Sequence, residues 1–262
     1  MERLQRPIRL LLPFVWRNMR EQYAGSLLGI IWSVIQPALL ILLYWWVFSR
    51  ILRIRIPLGD TGEIPFIVFL LSGLLPWFAF QEGIIKGSGA VIARRDLVKK
   101  VSIPVHIFPL AAIVAAFLSH TIGFALFLLI YFLWQWQVTI AQVSAILVLM
   151  ALQMAVVAGI SLLCAAIMVY LRDIAQVINL LLMTVFYTAP ILYPLSIVPE
   201  NLQTLVYLNP FATFAIAYRG VILQDVWPTP TALAGLVIFA GFAVGVGRYV
   251  FKRLEPGFAD VL

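Results

Sequence analysis

The stretch ARRDLVKKVSIP, residues 93–104, carries five charges in the seven residues from Arg94 to Lys100, and long apolar runs lie on both sides of it. The whole chain is 63% hydrophobic and only 11% charged. A charge cluster of this density has to lie in water or against another protein, because charged side chains are almost never buried without partners. We interpret it as a short amphipathic helix on the cytoplasmic face, where it receives force from a partner chain.

The composition of the rest of the chain is typical of a membrane protein. Its mean hydropathy is +1.04. Soluble proteins carry about 25% charged residues, so this chain lacks the polar surface needed to cover a core in water. Its long apolar runs reach the roughly 20 residues that cross a bilayer as a helix. The net charge of +7 then indicates cytoplasmic loops near anionic lipid, and we expect no nucleic-acid partner.

We predict an all-α polytopic membrane protein with a single membrane domain. It comprises an N-terminal cytoplasmic or interfacial segment, a six-span region and a cytoplasmic tail, at residues 1–26, 27–251 and 252–262. The six transmembrane helices are expected at residues 27–49, 64–85, 105–134, 140–171, 174–193 and 231–251. Glycine pairs spaced to permit close helix contact occur at Gly25/Gly29, Gly83/Gly87 and Gly241/Gly245, although this motif is common by chance.

The N-terminal residues 6–23 have the pattern of an amphipathic helix. Their apolar side chains recur at helical spacing, and the opposite face carries Arg6, Arg9, Arg17 and Arg20. We expect this helix to lie flat at the membrane surface, with Pro13 kinking it or starting its second half. The alternative is a helix that packs on a partner protein.

The distribution of Lys and Arg predicts the topology. Fourteen of the 18 basic residues fall in the N-terminal segment, the loop after the second span, the turn after the fourth span and the C-terminal tail. Because positively charged loops stay inside, both termini are expected in the cytoplasm. Arg50, Arg53 and Arg55 are an exception on the outer side, where Asp60 and Glu63 offer partial compensation.

Between the fifth and sixth spans lie two short apolar segments, residues 200–208 and 211–223, separated by Asn209-Pro210. Asparagine before proline suits a helix start, with Asn209 as the N-cap and Pro210 as the first helical residue. Segments of this length are usually interfacial or re-entrant. We predict two such helices that form a lid on the outer face, and the alternative is a surface loop with helical turns.

The sequence gives no indication of an enzyme. It contains no G-x-x-x-x-G-K-[ST], H-E-x-x-H or G-x-S-x-G motif. His106 and His120 are 14 residues apart on one predicted helix, about 21 Å along its axis, so they cannot share a metal ion. A single cysteine, Cys164, forms no internal disulfide. We therefore expect no catalytic residue, metal or cofactor in this chain.

Polar and aromatic residues inside the spans are candidates for a transport path, because such groups are costly there. Two stripes combine amides with aromatic rings, on which the apolar faces of sugars can stack. One contains Trp32, Gln36 and Trp46, and the other contains Asn179, Phe186, Tyr187 and Tyr193. The alternative is ordinary helix packing. Glu82 is either functional or an interfacial residue near Lys86.

Five stretches together resemble one family. They are REQYAGSLLGIIWSVIQPALL (20–40), RRDLVKKVSIP (94–104), YLRDIAQVINLLL (170–182), PILYPLSIVPENLQTLVYLNPFATFAIAYRGVIL (190–223) and RLEPGFADVL (253–262). The chain resembles the permease subunit of bacterial type-2 ATP-binding-cassette exporters for O-antigen, capsular polysaccharide or teichoic acid. Spread over nearly the whole chain in the family's order, the stretches are specific as a set, whereas each alone is weak.

The resemblance implies a homodimer in the bacterial inner membrane, joined to two copies of a separate ATPase that binds ATP and Mg²⁺. It implies a cargo of polysaccharide linked to a membrane lipid through a diphosphate, for which Arg6, Arg9, Arg17 and Arg20 are candidate ligands. It assigns the coupling helix to Arg94, Arg95, Asp96, Lys99 and Lys100. It assigns the outer gate to a segment that contains Asn209, Pro210, Tyr218 and Arg219.

The expected function is ATP-driven export of a lipid-linked polysaccharide of O-antigen type. One alternative is a type-2 exporter of teichoic acid, a drug or a small lipid. Another is a stand-alone membrane glycosyltransferase or flippase, which needs carboxylates in or beside the spans, and Glu82 is the only good one. An ATPase that co-purifies with the chain would distinguish export from the last class.

Overall fold

The computed structural model describes residues 2–22, 24–57, 63–100, 103–135 and 139–262. The elements are helices α1 to α11 and strands β1 and β2. In chain order they are α1 Glu2–Gln22, α2 Trp32–Tyr44, β1 Arg55–Pro57, β2 Glu63–Pro65, α3 Phe66–Ala93, α4 Arg95–Lys100, α5 Ile107–Gln135, α6 Ile140–Tyr170, α7 Ile174–Thr188, α8 Glu200–Tyr207, α9 Ala212–Gln224, α10 Pro230–Leu254 and α11 Phe258–Val261. The all-α polytopic fold is confirmed.

Among the described residues, five helical segments are long and apolar enough to cross a membrane: Trp32–Ile51, Phe66–Ala93, Ile107–Trp134, Ile140–Tyr170 and Pro230–Val261. The α8–α9 pair, bent by 98°, raises this to six if it counts as one broken span. Helix α7 is apolar but has only 15 residues, about 22 Å of helix. The predicted end of the fifth span at residue 193 is wrong, because Ala189 is extended before Pro190, which cannot continue a helix.

Two other predicted boundaries differ. The second span continues to Ala93 rather than residue 85, because its glycine-rich second half stays helical and packs tightly. On one side of it, a Cβ on Gly87 would lie 2.7 Å from the Ser161 side chain. The first span ends in a π-helical segment, Trp45–Ile51. The start of α6 is fixed by a capping box between Thr139 and Gln142.

The central helix is α3. In its most apolar 18-residue stretch, 83% of the residues are buried. It packs against α5, α6 and α9. One end of the bundle, which we call the basic end, carries α1, α4 and the C-terminal segment. The other, the hairpin end, carries the antiparallel β1–β2 hairpin, with Ile56 opposite Ile64. Since α3 runs from the hairpin to α4, these two ends lie on opposite sides of the membrane.

The C-terminal residues predicted as a tail fold back onto the basic end. The ring of Phe258 is 1% exposed and packs against Phe251. The hydroxyl of Tyr170 donates a hydrogen bond of 2.9 Å to the carbonyl of Leu254. The carboxylate of Glu255 accepts a 3.2 Å bond from the backbone N–H of Val105. These contacts hold the end of α10 beside the connection that leads into α5.

Candidate functional site: the basic end and the gate segment

Helix α4 presents a charged face to solvent at the basic end. Arg95, Asp96, Lys99 and Lys100 are all exposed. On its other face, Leu97 and Val98 pack against a cluster that includes Phe108. The helix therefore sits on apolar neighbours with its charges outward, as an amphipathic surface helix does.

Arg94, which was predicted with this group, is placed differently. It ends α3 instead of lying on α4, and its side chain is only 16% exposed. Its guanidinium donates 3.0 Å hydrogen bonds to Asn18 and to the Glu21 carboxylate on α1, and pairs with both oxygens of that carboxylate. Arg94 thus clamps α1 to the junction of α3 and α4.

The clamp has an electrostatic signature on α1. The hydrogen bond from Arg94, supported by Arg17 at 2.8 Å, holds the pKa of the Glu21 carboxyl below its ordinary value. A lowered pKa means that pairing stabilises the folded chain at pH values above the ordinary pKa. This stabilisation is lost as the pH falls through the lowered value.

Breaking the clamp with Arg94→Gln should therefore loosen α1. We expect a loss of about 1 kcal/mol, because Glu21 is 46% exposed and water screens the pair. Proteolysis of α1 in the purified chain, followed from pH 7 down to pH values below the lowered pKa of Glu21, measures the effect. The wild type should become as sensitive as the variant at low pH. Equal protection of both proteins at pH 7 would contradict the clamp.

Helix α1 divides its apolar face between two environments. Val15 and Met19 are buried against Ala111 and Ala115 of α5. Leu12 is 66% exposed and Trp16 51% exposed, which leaves them free to enter the lipid headgroup region.

The four arginines predicted for this helix are only partly described. Arg17 pairs with Glu21, and the guanidinium carbon of Arg20 lies 5.1 Å from the centre of the Trp16 ring. The side chains of Arg6 and Arg9 lie outside the described part of the structure. Arg17 and Arg20 thus sit on the same short segment as the clamp.

Polar residues of three spans surround a cavity of about 250 Å³ that sequence reasoning did not find. The carboxylate of Glu82 pairs with both His120 of α5 and Lys86 one turn along α3. Gln36 of the first span also lines the cavity. The available signal was that Glu82 and His120 are both costly inside adjacent spans, so a mutual partner was to be expected.

The two aromatic stripes lie on surfaces that the chain itself covers only in part. Gln36, Trp46, Asn179 and Tyr187 are exposed, whereas Trp32, Phe186 and Tyr193 are half-buried. Two of these residues are used in packing. The Phe186 ring lies 5.4 Å from that of Trp77, and the Tyr193 hydroxyl donates to the carbonyls that end α7.

In the gate segment, residues 196–223, helix α9 is largely buried, whereas α8 is largely exposed. Helix α9 begins at Ala212, so the prediction of Asn209 as N-cap and Pro210 as first helical residue is wrong. Asn209 instead accepts a 2.8 Å hydrogen bond from the N–H of Phe211 two residues on, as in an Asx turn. Its amide donates to the Val185 carbonyl and the Thr188 hydroxyl at the end of α7.

Tyr218 and Arg219 lie within the bundle. Tyr218 is 0% exposed and its ring packs edge-on against Phe124. Arg219 is 8% exposed, and its guanidinium donates to the carbonyls of Phe69, Pro190 and Ile191. Within the described residues no three His, Cys, Asp or Glu side chains are grouped to hold a metal ion.

Known proteins resemble this chain along most of its length. Residues 10–223 match the family described as ABC-2 type transporter. An O-antigen export system permease protein RfbA of Myxococcus xanthus is 28% identical, covering 96% of this chain and 94% of its own. One of Klebsiella pneumoniae is 25% identical over 97% and 95%. The polysialic acid transport protein KpsM of Escherichia coli is 21% identical over 91% of each chain. The helical fold, with several segments long enough to cross a membrane, agrees with this match over most of the sequence. The chain belongs to the ABC-2 type transporter family.

Proposed function

We propose that this chain is the transmembrane subunit of an ATP-driven exporter that moves a lipid-linked polysaccharide of O-antigen type across the bacterial cytoplasmic membrane. The observation that carries the proposal is the near full-length similarity to permeases named for O-antigen export. The polysialic acid relatives are more distant, at 20–21% identity. They still favour a polysaccharide over a drug or a small lipid.

Deleting this chain from its native bacterium tests the cargo. We expect the polymer to disappear from the cell surface and to accumulate inside the cell on its lipid carrier, because synthesis continues while export stops. Gel analysis of surface and intracellular polysaccharide measures both pools. Normal surface polymer in the deletion strain would refute the proposal.

The energy is supplied by an ATPase on a separate chain that docks at the basic end. The sequence has no phosphate-binding loop of its own, and α4 offers its exposed charges on a fixed apolar bed. With both termini cytoplasmic, this surface meets the ATPase inside the cell. Movement of α4 would pass to α3, which it follows directly, and to α1 through the Arg94 clamp.

Reversing two exposed charges, Arg95→Glu with Lys99→Glu, should reduce the ATPase that co-purifies with the chain by about tenfold, since desolvated charge pairs carry interface affinity. Glu200→Arg, an equally exposed charge change on α8 at the hairpin end, is the matched control. Pull-down from detergent-solubilised membranes quantifies the complex. An undiminished complex in the double variant would rule out α4 as the docking site.

A second copy of the chain completes the exporter. In the part of the chain that the structure describes, no residue in the most apolar stretch of the first span is buried. Helix α7 leaves Leu180, Met183 and Tyr187 more than half exposed. A homodimer that covers parts of these faces would place the two aromatic stripes along the path of the sugar. Arg17 and Arg20, with Arg6 and Arg9, would bind the cargo diphosphate as it arrives.

A further inference from the structure

An apolar groove opens at the hairpin end, away from the basic end and its charged helix. Its volume is about 1020 Å³. It lies between the π-helical end of the first span, the first turns of α3 and the last turns of α5, with Leu42, Leu71 and Ile130 among its lining residues. Leu42 and Ile130 are at least half exposed. The groove therefore offers a deep apolar surface that opens toward the bilayer.

The dimensions of the groove match one membrane leaflet. Along the helical part of the first span it reaches from Ala38 to Ser49, about 16 Å. Along α5 it reaches from Leu126 to Trp134, about 12 Å. Half of a hydrocarbon core is about 15 Å thick. A single acyl chain that enters from the hairpin side would be held over its whole length.

The mouth of the groove is positively charged. Arg53 and Arg55 line it, and Arg50 stands beside it with its guanidinium 5.0 Å from the Trp45 ring. Arg55 has Glu63 at 3.8 Å with both side chains largely exposed. Arg53 has no ion pair with any acidic side chain in the described ranges. The described groups at the mouth thus leave a surplus of positive charge at headgroup level.

Arg53 is also held in place by its backbone. It adopts φ +51°, a left-handed conformation that is uncommon for residues other than glycine. The neighbouring amides fix the turn, since Leu52 N–H donates to Val47 at 2.9 Å and Ile54 N–H donates to Phe48 at 3.1 Å. The backbone turn therefore fixes the position of Arg53 at the rim, and the fork geometry of a guanidinium suits a phosphate.

We propose that this groove binds a glycerophospholipid with an anionic headgroup, its acyl chain between the first span and α5 and its phosphate at Arg53. The charge at the rim selects the anion, and the leaflet-length apolar groove selects a single chain. Binding of an anionic headgroup also explains why three arginines lie on the side of the membrane where basic residues are rare. It depends on membrane insertion and not on the identity of the cargo.

Native mass spectrometry of the purified full-length chain tests the site with two probes of equal acyl chains, dioleoyl-phosphatidylglycerol and dioleoyl-phosphatidylcholine. We expect the wild type to prefer phosphatidylglycerol by about tenfold, because both lipids offer a phosphate to Arg53 but only phosphatidylcholine brings a positively charged choline group against the arginines. Arg53→Gln should abolish the preference, and Arg53→Lys should keep part of it. Ile130→Trp, which fills the groove, should weaken both lipids.

Matched controls lie outside the groove. Arg172→Gln removes an exposed charge at the basic end, and Leu147→Trp enlarges an exposed apolar residue of α6; neither should alter lipid binding. Equal binding of the two lipids by the wild type, or an Arg53→Gln variant that keeps the preference, would overturn the proposal. Two further results would overturn the proposal. One is a disulfide between two copies of the Ile130→Cys variant, because a second chain would then occupy the groove. The other is a polyprenyl lipid as the species that Arg53→Gln loses.

Discussion

Gly247→Ala is expected to destabilise the chain by about 3 kcal/mol, although the change adds one methyl group in a helix. A Cβ at this position would overlap the carbonyl group of Gly159 and lie 2.8 Å from its carbonyl carbon. The obstacle is the backbone of α6, which cannot rotate away as a side chain can. Helices α6 and α10 would have to separate, and overpacking of this kind costs about 1–3 kcal/mol and occasionally more.

The same helix supplies the control. Gly245 is exposed, and a Cβ there would meet nothing within 4 Å. Gly245→Ala should raise stability by up to about 1 kcal/mol, because alanine loses less conformational freedom than glycine in a helix. Thermal unfolding of the detergent-solubilised chain measures both variants. Two methyl groups placed two residues apart should thus act in opposite directions, and similar midpoints for the two variants would show that α6 and α10 are not in backbone contact.

Arg219→Met should cost about 3–5 kcal/mol, since removing one partner of a buried charged network leaves the others unsatisfied. The guanidinium bonds to backbone carbonyls of two other segments, 2.6 Å from Ile191 and 3.2 Å from Phe69. Its central carbon also lies 3.5 Å from the centre of the Phe69 ring. These contacts tie α9 to the start of α3 and to the chain that follows α7, so their loss should release the gate segment.

The unfolding midpoint of Arg219→Met should fall by about 6–20 °C, given 2–4 °C per kcal/mol for a chain of this size. The unfolding midpoint of Arg219→Lys should lie between those of Arg219→Met and the wild type, because an ammonium keeps the charge but lacks the planar fork. Arg172→Met, at an exposed position of the basic end, should leave the midpoint unchanged. A stable Arg219→Met variant would mean that the carbonyls find other donors and that Arg219 does not anchor α9.

These two sites differ in how far the sequence could reveal them. Spacing suggested Gly241 and Gly245 as contact glycines, yet a Cβ at either would meet no described atom within 4 Å. The close approach is made by Gly159 and Gly247. Glycine spacing cannot indicate which face of a helix meets a partner, because packing decides it. Gly83 and Gly87 do pack tightly, so the motif identified one pair of contact glycines in α3.

The candidate site likewise combines features that are visible in the sequence with contacts that only the tertiary structure reveals. The charges of α4 and the amphipathic α1 are visible as local patterns, because exposure and helical periodicity follow directly from residue order. The Arg94–Glu21 clamp joins residues 73 positions apart, and the Glu82–His120 pair joins residues 38 positions apart. No periodicity connects such residues, so Arg94 was grouped with its neighbours on α4 and His120 was assigned no partner.

The sequence by itself determined that this chain is a helical membrane protein with a charged helix between long apolar spans, because a bilayer admits helices of sufficient length and excludes unpaired charge. Only the tertiary structure decided where each polar group inside that body finds its partner. Arg219, assigned to the outer gate, is buried among backbone carbonyls of two segments, the start of α3 and the chain after α7. The arginines at the hairpin end flank a groove that no local pattern records. Partners of this kind are set by which helices meet, and that depends on packing across the whole bundle.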